Sequence, residues 1–410
     1  MKSVFLLAGL LSTAFASAIE KRSDAEPISG GKGGPILDTI SQYTGGTNKA
    51  IDAQNPDGLR TQSTDNGFVP NLKWSFSDSQ TKLFPGGWSR EQVIQDLPQS
   101  HDISGAQQHL KKGATRELHW HRVAEWGFVY NGSLLLTGVD ENGGFTTEKL
   151  ETGDIWYFPK GVAHNVQGLE EENEYLLVFD DGDFEKIGTT FMVDDWIAHT
   201  PKDILAKNFG VSPSVFDKVP PKFPYILNGT VSEDLKKAPE GNLKGNSSYV
   251  YHTYKHQPEP VPGNGGVFRK IDSTNFPISK TIAATVVELE PKGLRELHWH
   301  PNAEEWLYFH QGTGRATIFI GDSKARTFDF RGGDTAVFPD NAGHYIENTS
   351  ETEKLVWIEI YRSDRVADIS LAQWLALTPA DTVANVLKID IEVVKQIKKE
   401  KQVLIQGKKA

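Results

Sequence analysis

The sequence contains no cysteine, so neither disulfide bonds nor thiolate ligands are available to this chain. Its stability must come from a large packed core, and any metal site must use histidine and carboxylate ligands. Positive charge is also scarce, because 43 Lys and Arg stand against 54 Asp and Glu, which gives a formal net charge of −11. This balance argues against nucleic acid as a partner, and recognition of an anionic substrate would need local arginines.

No apolar run is long enough to anchor the chain in a bilayer, so we expect no membrane partner. Residues 1–18 have the anatomy of a secretory signal peptide, with Lys2, the apolar run VFLLAGLLSTAFA and the small residues Ala16-Ser17-Ala18. The dibasic pair Lys21-Arg22 predicts a second cut, which makes residues 19–22 a propeptide. We therefore expect a secreted, extracellular protein. Four sequons are compatible with glycosylation in that pathway and lie at Asn131, Asn228, Asn246 and Asn348.

The chain is a duplicated unit. The hexapeptide RELHWH occurs at residues 116–121 and again at residues 295–300. GDIWYFPKGVAH, which begins at Gly153, is matched by GDTAVFPDNAGH, which begins at Gly333. The second copy has one additional residue between His300 and Glu305. Self-similarity over this length predicts two tandem domains of the same fold.

Short runs rich in β-branched and aromatic residues begin at Trp74 and are broken by Gly, Pro, Asn or Asp every eight to twelve residues. This pattern predicts an all-β dominated chain of two jelly-roll type barrels, each followed by helices. In both helical segments a Thr-Pro pair, Thr200-Pro201 and Thr378-Pro379, predicts an N-cap. We assign an N-terminal extension to residues 23–70, a first barrel to 71–230, and a second barrel with a helical tail to 231–410.

Each copy carries a candidate metal site. His119 and His121 are two residues apart, so a strand places both on one face. Glu125 follows shortly, and His164 comes after a later turn. A buried Glu is costly unless it is paired, and a divalent cation would provide the pairing. The second copy repeats the set with His298, His300, Glu305 and His344.

Glu304 competes with Glu305 for the ligand role. Glu125 precedes Gly132 by seven residues and Glu305 precedes Gly312 by seven, which selects Glu305. Three histidines and one glutamate leave two open positions on an octahedral ion, which is typical of a catalytic site. Nitrogen and oxygen ligands allow Mn, Fe, Ni, Cu or Zn, and affinity alone would not select Mn.

These residues resemble the cupin motifs. Gly113, His119, His121, Glu125 and Gly132 fit the first motif, and Gly153, Pro159, Gly161 and His164 fit the second. The second copy departs slightly, since Gly293 is one residue closer to His298 and Asn341 stands in place of a glycine. The duplicated RELHWH, the Glu-Trp pairs and GHYIEN at residues 343–348 resemble the bicupin oxalate decarboxylases over about residues 70 to 380.

The resemblance implies a reaction in which oxalate is cleaved to formate and CO2. It implies two Mn ions per chain and dioxygen as a cocatalyst. It also places Arg116 and Arg295 in the pockets, where a guanidinium would polarise the substrate carboxylate. By simple alternation both arginines lie on the opposite strand face from the histidines, unless a bulge intervenes.

Decarboxylation needs a proton donor over the metal. In the family a mobile lid of the first domain, with a Ser-Glu-Asn-Ser type sequence, supplies a Glu. This chain has GDFEKIGTTFMVDDW from Gly182 instead, one residue longer, with Glu185 as the candidate acid. In the second copy Glu359 matches the family's acidic residue, either as a proton donor or as a partner of the arginine.

Because the lid sequence differs from that of the family, two alternative functions remain as hypotheses. Loss of the donor would favour an oxalate oxidase, which releases CO2 and H2O2. A non-enzymatic metal-binding or storage bicupin is a third hypothesis, against which all eight ligands are intact. The small-molecule partner is oxalate in the leading hypothesis. The sequence leaves open which site turns over and whether the chain forms a homo-oligomer.

Overall fold

The computed structural model describes residues 64–220, 224–231, 237–238, 241–242 and 249–407. The predicted signal peptide and propeptide, most of the predicted extension and the sequon at Asn246 lie outside these residues. Within the described part of the chain, no helix is both long and apolar enough to cross a membrane.

Between residues 64 and 231, the described part of the first half contains thirteen strands and two α-helices. In chain order they are β1 Lys73–Ser75, β2 Lys82–Phe84, β3 Gly87–Gln92, β4 Ser104–Lys111, β5 Thr115–His121, β6 Glu125–Asn131, β7 Ser133–Val139, β8 Phe145–Glu151, β9 Ile155–Phe158, β10 Ala163–Gly168, β11 Glu172–Phe179, β12 Thr190–Met192, α1 Val193–Ala198, α2 Lys202–Phe209 and β13 Ile226–Leu227.

The connecting segment and the second half follow the same plan. Their elements are β14 Lys237–Ala238, β15 Gly241–Asn242, β16 Val250–Tyr251, β17 Gly266–Ile271, β18 Ala283–Leu289, β19 Leu294–Trp299, β20 Glu305–Gln311, β21 Thr313–Phe319, β22 Ala325–Arg331, β23 Asp334–Phe338, β24 Gly343–Asn348, β25 Leu355–Tyr361, β26 Ile369–Ser370, α3 Leu371–Leu377, α4 Ala380–Leu387, α5 Ile391–Lys395 and β27 Leu404–Ile405.

Each half forms a barrel of two packed antiparallel sheets. In the first barrel, one sheet has the order β12-β5-β10-β7-β8 with β13 added to β5, and the other runs β16-β9-β6-β11-β4-β3-β2. In the second barrel, the order β22-β21-β24-β19-β26 with β27 on β19 faces β1-β23-β20-β25-β18-β17. The predicted fold class, two tandem jelly-roll barrels with helices after each, is confirmed.

The barrels exchange short strands at their edges. β1 pairs with β23 of the second barrel, and β16 pairs with β9 of the first barrel. The assigned limits 71–230 and 231–410 remain predictions, and β1 lies inside the range assigned to the first barrel although it completes a sheet of the second. Strand pairing by β1 and by β16 thus joins the barrels in addition to their covalent connection.

The strands that carry the glutamates are buried on both faces. In β6 and its counterpart β20, the first five residues are all buried. Trp126 and Phe128 point into a core shared with Trp306 and Tyr308 of the second barrel, whereas Val129 belongs to the core of the first barrel. A strand buried on both faces has a nearly continuous apolar sequence, and each of its few polar side chains needs a hydrogen-bond or ion-pair partner.

The helical segments differ from the sequence prediction in one detail. The N-caps of α2 and α4 are Pro201 and Pro379, without a side-chain capping bond, so the prediction that the threonines cap these helices was wrong. Thr200 and Thr378 instead donate their hydroxyls back to the carbonyls of Trp196 and Trp374, at 2.8 and 2.9 Å. Each threonine therefore satisfies a carbonyl at the C-terminal end of the preceding helix, and the proline is the N-cap of the next helix.

Lys73 on β1 forms an ion pair with Asp334 on β23 at 3.0 Å, and both side chains are 3% exposed. Replacing Lys73 by Met should leave the Asp334 carboxylate buried without its cation, which costs about 3–5 kcal/mol of unfolding free energy. Urea unfolding followed by tryptophan fluorescence would measure the loss. Lys112→Met breaks an exposed pair with Glu171 and should change stability little. Equal stabilities of the two variants would contradict the role given to Lys73.

Candidate functional site

The four predicted ligands of the first barrel meet inside it. β5 contributes His119 and His121, β10 contributes His164, and β6 of the opposite sheet contributes Glu125. All four side chains are buried, and their ligand atoms lie within 4.8 Å of one another. Nε2 of His121 and Nε2 of His164 lie 3.0 and 3.3 Å from Oε2 of Glu125. The site thus joins the two sheets of the barrel.

Hydrogen bonds at the far side of each ring fix the imidazoles. Nδ1 of His119 lies 2.6 Å from the Glu117 carbonyl oxygen, and Nδ1 of His164 lies 2.8 Å from that of Val162. Nδ1 of His121 lies 2.8 Å from the Thr190 hydroxyl. Rings that donate from Nδ1 present the Nε2 lone pair to the centre of the cluster.

The Glu125 carboxylate is oriented in the same way. Nε1 of Trp156 donates to Oε1 of Glu125 at 2.9 Å, which leaves Oε2 facing the imidazoles. The site also explains why residue 127 is a glycine, since a Cβ there would lie 2.1 Å from the Trp156 ring. The strand that holds the glutamate thus makes room for the indole that orients it.

The second barrel repeats this arrangement. His298 and His300 on β19, His344 on β24 and Glu305 on β20 are buried with ligand atoms within 4.8 Å of one another. Nδ1 of each ring lies 2.7 to 2.9 Å from a backbone carbonyl oxygen, of Glu296, Ala367 and Ala342 respectively. Glu304 lies outside this cluster, next to the backbone N–H of Asp102 at 3.2 Å. The structure therefore places Glu305, and not Glu304, among the histidines.

The electrostatics of the first cluster suit a cation. Burial raises the pKa of Glu125, but His164 and His121 outweigh it and hold the pKa well below its usual range. Burial lowers the pKa of His121 to about 4 and holds that of His119 well below its usual range. At neutral pH the cluster thus contains an ionised carboxylate and at least two neutral imidazoles, the protonation states that bind metal ions.

In the second cluster, burial lowers the pKa of His300, but Glu305 outweighs that effect and raises it. Oε2 of Glu305 and Nε2 of His344 make no hydrogen bond, although they lie only 2.9 Å apart. Two buried acceptors aimed at one centre need a shared positive charge. A divalent ion with nitrogen and oxygen ligands would meet this need, so the residues present fit a metal in both barrels.

A β-bulge brings the arginines to the histidine side. Opposite β10, the four residues of β5 from Arg116 to His119 face only the three residues from Val166 to His164. The same shift occurs between Arg295 and His298 against β24. Arg116, Glu117 and His119 are each 3% exposed, whereas Leu118 is 58% exposed. The expectation from simple alternation does not hold, because the extra residue of the bulge turns Arg116 inward.

Arg116 is held by weak partners. Its guanidinium lies 3.7 Å from the centre of the Tyr225 ring and 3.4 Å from Sδ of Met192, and Glu117 is 4.0 Å away. Burial and the neighbouring Asp194 raise the pKa of Glu117 to about 7, so this carboxyl loses its negative charge in acid. A substrate carboxylate would therefore face little competition for Arg116.

Arg295 is held by strong partners. Asp368 lies 2.8 Å from Nη2, and Glu359 lies 3.6 Å from Nε. Glu359 also accepts hydrogen bonds from Trp357 and Tyr361, at 3.1 and 2.9 Å. The structure places Glu359 beside Arg295 as one member of a buried, neutralised network.

Glu185 lies in the loop between β11 and β12 and makes no bond to the metal ligands. Its carboxylate forms an ion pair with Lys82 on β2. A cleft of about 730 Å³ opens beside it, lined by Lys82, Phe84, Glu185, Phe191, Met192 and Tyr225 among others. Met192 and Tyr225 contact Arg116, so this cleft leads from Glu185 toward the first cluster.

Tyr225 and Asp368 were not predicted as site residues. Tyr225 has a φ of +64°, rare for a bulky residue, and Val403 at the equivalent place of the second barrel has +59°. Each directly precedes a short strand that begins at Ile226 or at Leu404 and pairs with the arginine strand. The tripeptides YIL at residues 225–227 and VLI at residues 403–405 follow the helices of each copy. An alignment of the two halves would have matched them and indicated that Tyr225 lies beside the arginine strand.

Two tandem jelly-roll barrels, each with three histidines and one glutamate inside, define a two-domain cupin metalloprotein. The Cupin family model matches residues 77–216 and 254–395. The chain is 57% identical over 400 residues to a probable oxalate decarboxylase of Arthroderma benhamiae, covering 96% of this chain and 99% of the relative. It is 42% identical over 395 residues to the oxalate decarboxylase of Bacillus subtilis, covering 95% of this chain and 99% of the relative.

A solved structure of the Bacillus subtilis enzyme, studied for its Mn(II) centres, superposes with a TM-score of 0.84 at 40% identity and covers 91% of this chain and 99% of that chain. Within the cupins, the chain belongs to the bicupin oxalate decarboxylase family. The family resemblance seen in the sequence is confirmed.

Trp156→Phe should weaken metal binding at the first site about 10- to 100-fold, because the indole N–H no longer orients Glu125. Metal content of each variant after dialysis against a graded chelator would measure the change. Trp126→Phe is the matched control, since Nε1 of Trp126 is buried and has no hydrogen-bond partner. Equal metal loss in both variants would show that aromatic packing matters and the Trp156 hydrogen bond does not.

Proposed function

We propose that this chain is a secreted, Mn-dependent oxalate decarboxylase that converts oxalate to formate and CO2 with dioxygen as a cocatalyst. One observation carries the proposal: the first His3Glu cluster lies beside a buried arginine, Arg116, whose nearest carboxylate is 4.0 Å away. A small dianion is the kind of ligand that such a pocket would bind. The relatives named above support oxalate as that dianion.

Oxalate has a stable C–C bond and no electron sink. A manganese ion bound by His119, His121, Glu125 and His164 would supply coordination for a carboxylate and one-electron chemistry with dioxygen. The guanidinium of Arg116 would bind and polarise the substrate, and the aromatic walls at Phe84 and Tyr225 would exclude water around it.

The proton balance decides the product. Oxalate and one proton give one formate and one CO2, so the carbon left after CO2 departs must receive a proton. Glu185 is the candidate donor, since it borders the cleft that leads to Arg116. In its protonated form it would deliver this proton after the loop moves inward.

We assign turnover to the first site. Arg295 of the second site is engaged by Asp368 at 2.8 Å and by Glu359 at 3.6 Å, so a substrate would have to displace a buried carboxylate. Glu359 accepts hydrogen bonds from its neighbours and serves to hold Arg295. The second metal would stabilise the fold of its barrel.

Oxalate oxidase is the second candidate, because Glu185 is bound to Lys82 and not to the metal cluster. Without a proton donor, oxalate, one dioxygen and two protons would give two CO2 and one H2O2. Both reactions consume the same substrate at the same site. They differ only in where the proton and the electron pair go.

The Mn-loaded chain should convert oxalate at acid pH mainly to formate, and Glu185→Gln should lower formate production by about 10²-fold, since an amide cannot donate the proton. Formate and peroxide released per oxalate consumed would measure both results. In the variant the peroxide share should rise.

Glu171→Gln is the matched control, because Glu171 is exposed and lies before the start of β11, at the end of that strand opposite to the loop. Abundant H2O2 without formate from the unmodified chain would refute the decarboxylase and favour the oxidase. Normal formate production by Glu185→Gln would transfer the donor role to Glu359.

We also propose secretion and N-glycosylation, supported by the signal-like residues 1–18 and by the placement of the sequons. Asn131 and Asn228 are exposed. Asn348 is 1% exposed, and its Nδ2 donates to the carbonyls of Leu289, Glu290 and Glu353 at 3.1, 3.1 and 2.8 Å. A glycan would replace one of the two hydrogens on that nitrogen and would need space at this buried position.

Glycopeptide mass spectrometry of the protein secreted from a eukaryotic host should find glycans at Asn131 and Asn228 and an unmodified Asn348. Asn131→Gln and Asn228→Gln should each reduce the mass of the secreted protein by one glycan, whereas Asn348→Gln should destabilise the fold. A fully occupied Asn348 would contradict this assignment.

A further inference from the structure

The loop from Asp180 to Thr189 is fixed at both ends beside the first metal cluster. The backbone N–H of Ile94 donates to the carbonyl of Gly182 at 2.8 Å, and the Phe184 ring stacks on Phe179 with centroids 4.0 Å apart. At the other end, Thr190 holds Nδ1 of His121. Any movement of the loop is therefore confined to its middle.

The middle of the loop is weakly held. Glu185, Lys186 and Ile187 are exposed, and Ile187 is 100% exposed. Among the residues that the structure describes, the ion pair between Glu185 and Lys82 is the only polar contact from residues 185–188 to a residue outside the loop. The position of Glu185 thus depends on a single cation.

Lys82 has a second partner that does not move with the loop. Its Nζ lies 2.9 Å from Oε2 of Glu91, a β3 residue whose side chain is 5% exposed. The Ser89 hydroxyl fixes Oε1 of Glu91 at 2.7 Å. Glu91 therefore fixes the ammonium group at the rim of the cleft.

We propose that Lys82 is a positioning residue that holds Glu185 at the rim of the cleft, away from the metal ligands, and that Glu91 sets the strength of this hold. When Glu185 leaves, Lys82 keeps Glu91 as its partner and is not left uncompensated. When Lys82 is absent, the two carboxylates face each other and repel. Because Lys82 keeps Glu91 as a partner, release of Glu185 has a small free-energy cost and is reversible.

The corresponding loop of the second barrel has no such arrangement. Arg362 donates to Asp102 at 2.8 Å, Asn302 donates to the Arg365 carbonyl at 2.9 Å, and Asp368 binds Arg295. Several bonds, one of them to a buried guanidinium, would have to break together. A loop restrained by a single exposed ion pair is therefore a property of the first site.

The consequence for catalysis depends on the proposed function, in which Glu185 delivers the proton. Lys82 would then set the fraction of time that the acid spends over the substrate. A weaker hold would shift the loop inward and raise the formate share, and a stronger hold would raise the peroxide share.

Amide hydrogen exchange of the Mn-loaded full chain tests directly whether Lys82 restrains the loop. The groups to measure are the backbone N–H groups of Lys186 and Thr189, which donate hydrogen bonds to carbonyls within the loop. Lys82→Met should speed their exchange up to about fivefold, the range expected for loss of a part-exposed ion pair. Glu91→Gln should slow it, since Lys82 is then no longer shared. Lys82→Arg should restore the exchange rate of the unmodified chain.

Lys112→Met is the control, because it breaks an exposed pair with Glu171 remote from the loop. Glu185→Gln should speed exchange as Lys82→Met does, and the double variant should add little. Unchanged loop exchange in Lys82→Met, or equal acceleration in Lys112→Met, would overturn the hold.

The ratio of formate to peroxide separates this inference from the proposed function. Loop exchange and product ratio that change together in Lys82→Met support both. Faster loop exchange with an unchanged product ratio supports the hold and refutes Glu185 as the acid.

Discussion

A carboxylate buried among imidazoles is the interaction on which the rest of each barrel depends. Glu125 and Glu305 sit on strands covered on both faces, where an isolated negative charge would be very unfavourable. Three histidines, each fixed through Nδ1, convert that charge into a set of electron-pair donors for a cation. Because the glutamate comes from one sheet and the histidines from the other, binding a metal also joins the two sheets.

The β-bulge in the RELHWH strand determines which side chains share the barrel interior with the histidines. A regular strand would send Arg116 and His119 to opposite faces, and no guanidinium would lie beside the histidines. One extra residue in β5 and β19 places both on the same side. The two barrels share this device and then diverge, since Arg116 rests on an aromatic ring and Arg295 on carboxylates.

The ligands could be predicted from the sequence because the duplication shows each of them twice, at spacings that a strand and a turn translate directly into geometry. The partners of the arginines could not, since Tyr225 and Asp368 come from segments that pack against the strand only in the folded chain. The same reason hid the pairing of Lys82 with Glu185. The predicted helix caps were wrong because each helix begins one residue later than predicted, so that Pro201 and Pro379 occupy the N-cap positions. Thr200 and Thr378 instead donate their hydroxyls to carbonyls of the preceding helix.

The two barrels of this duplicated chain are linked by the edge strands that they exchange. β1 completes a sheet of the barrel that follows it, and β16 completes a sheet of the barrel that precedes it. Each barrel thus takes one edge strand from outside its own repeat, and a chain divided between the repeats would leave the edges of β9 and β23 unpaired. We therefore expect the two barrels to unfold together and not as independent domains.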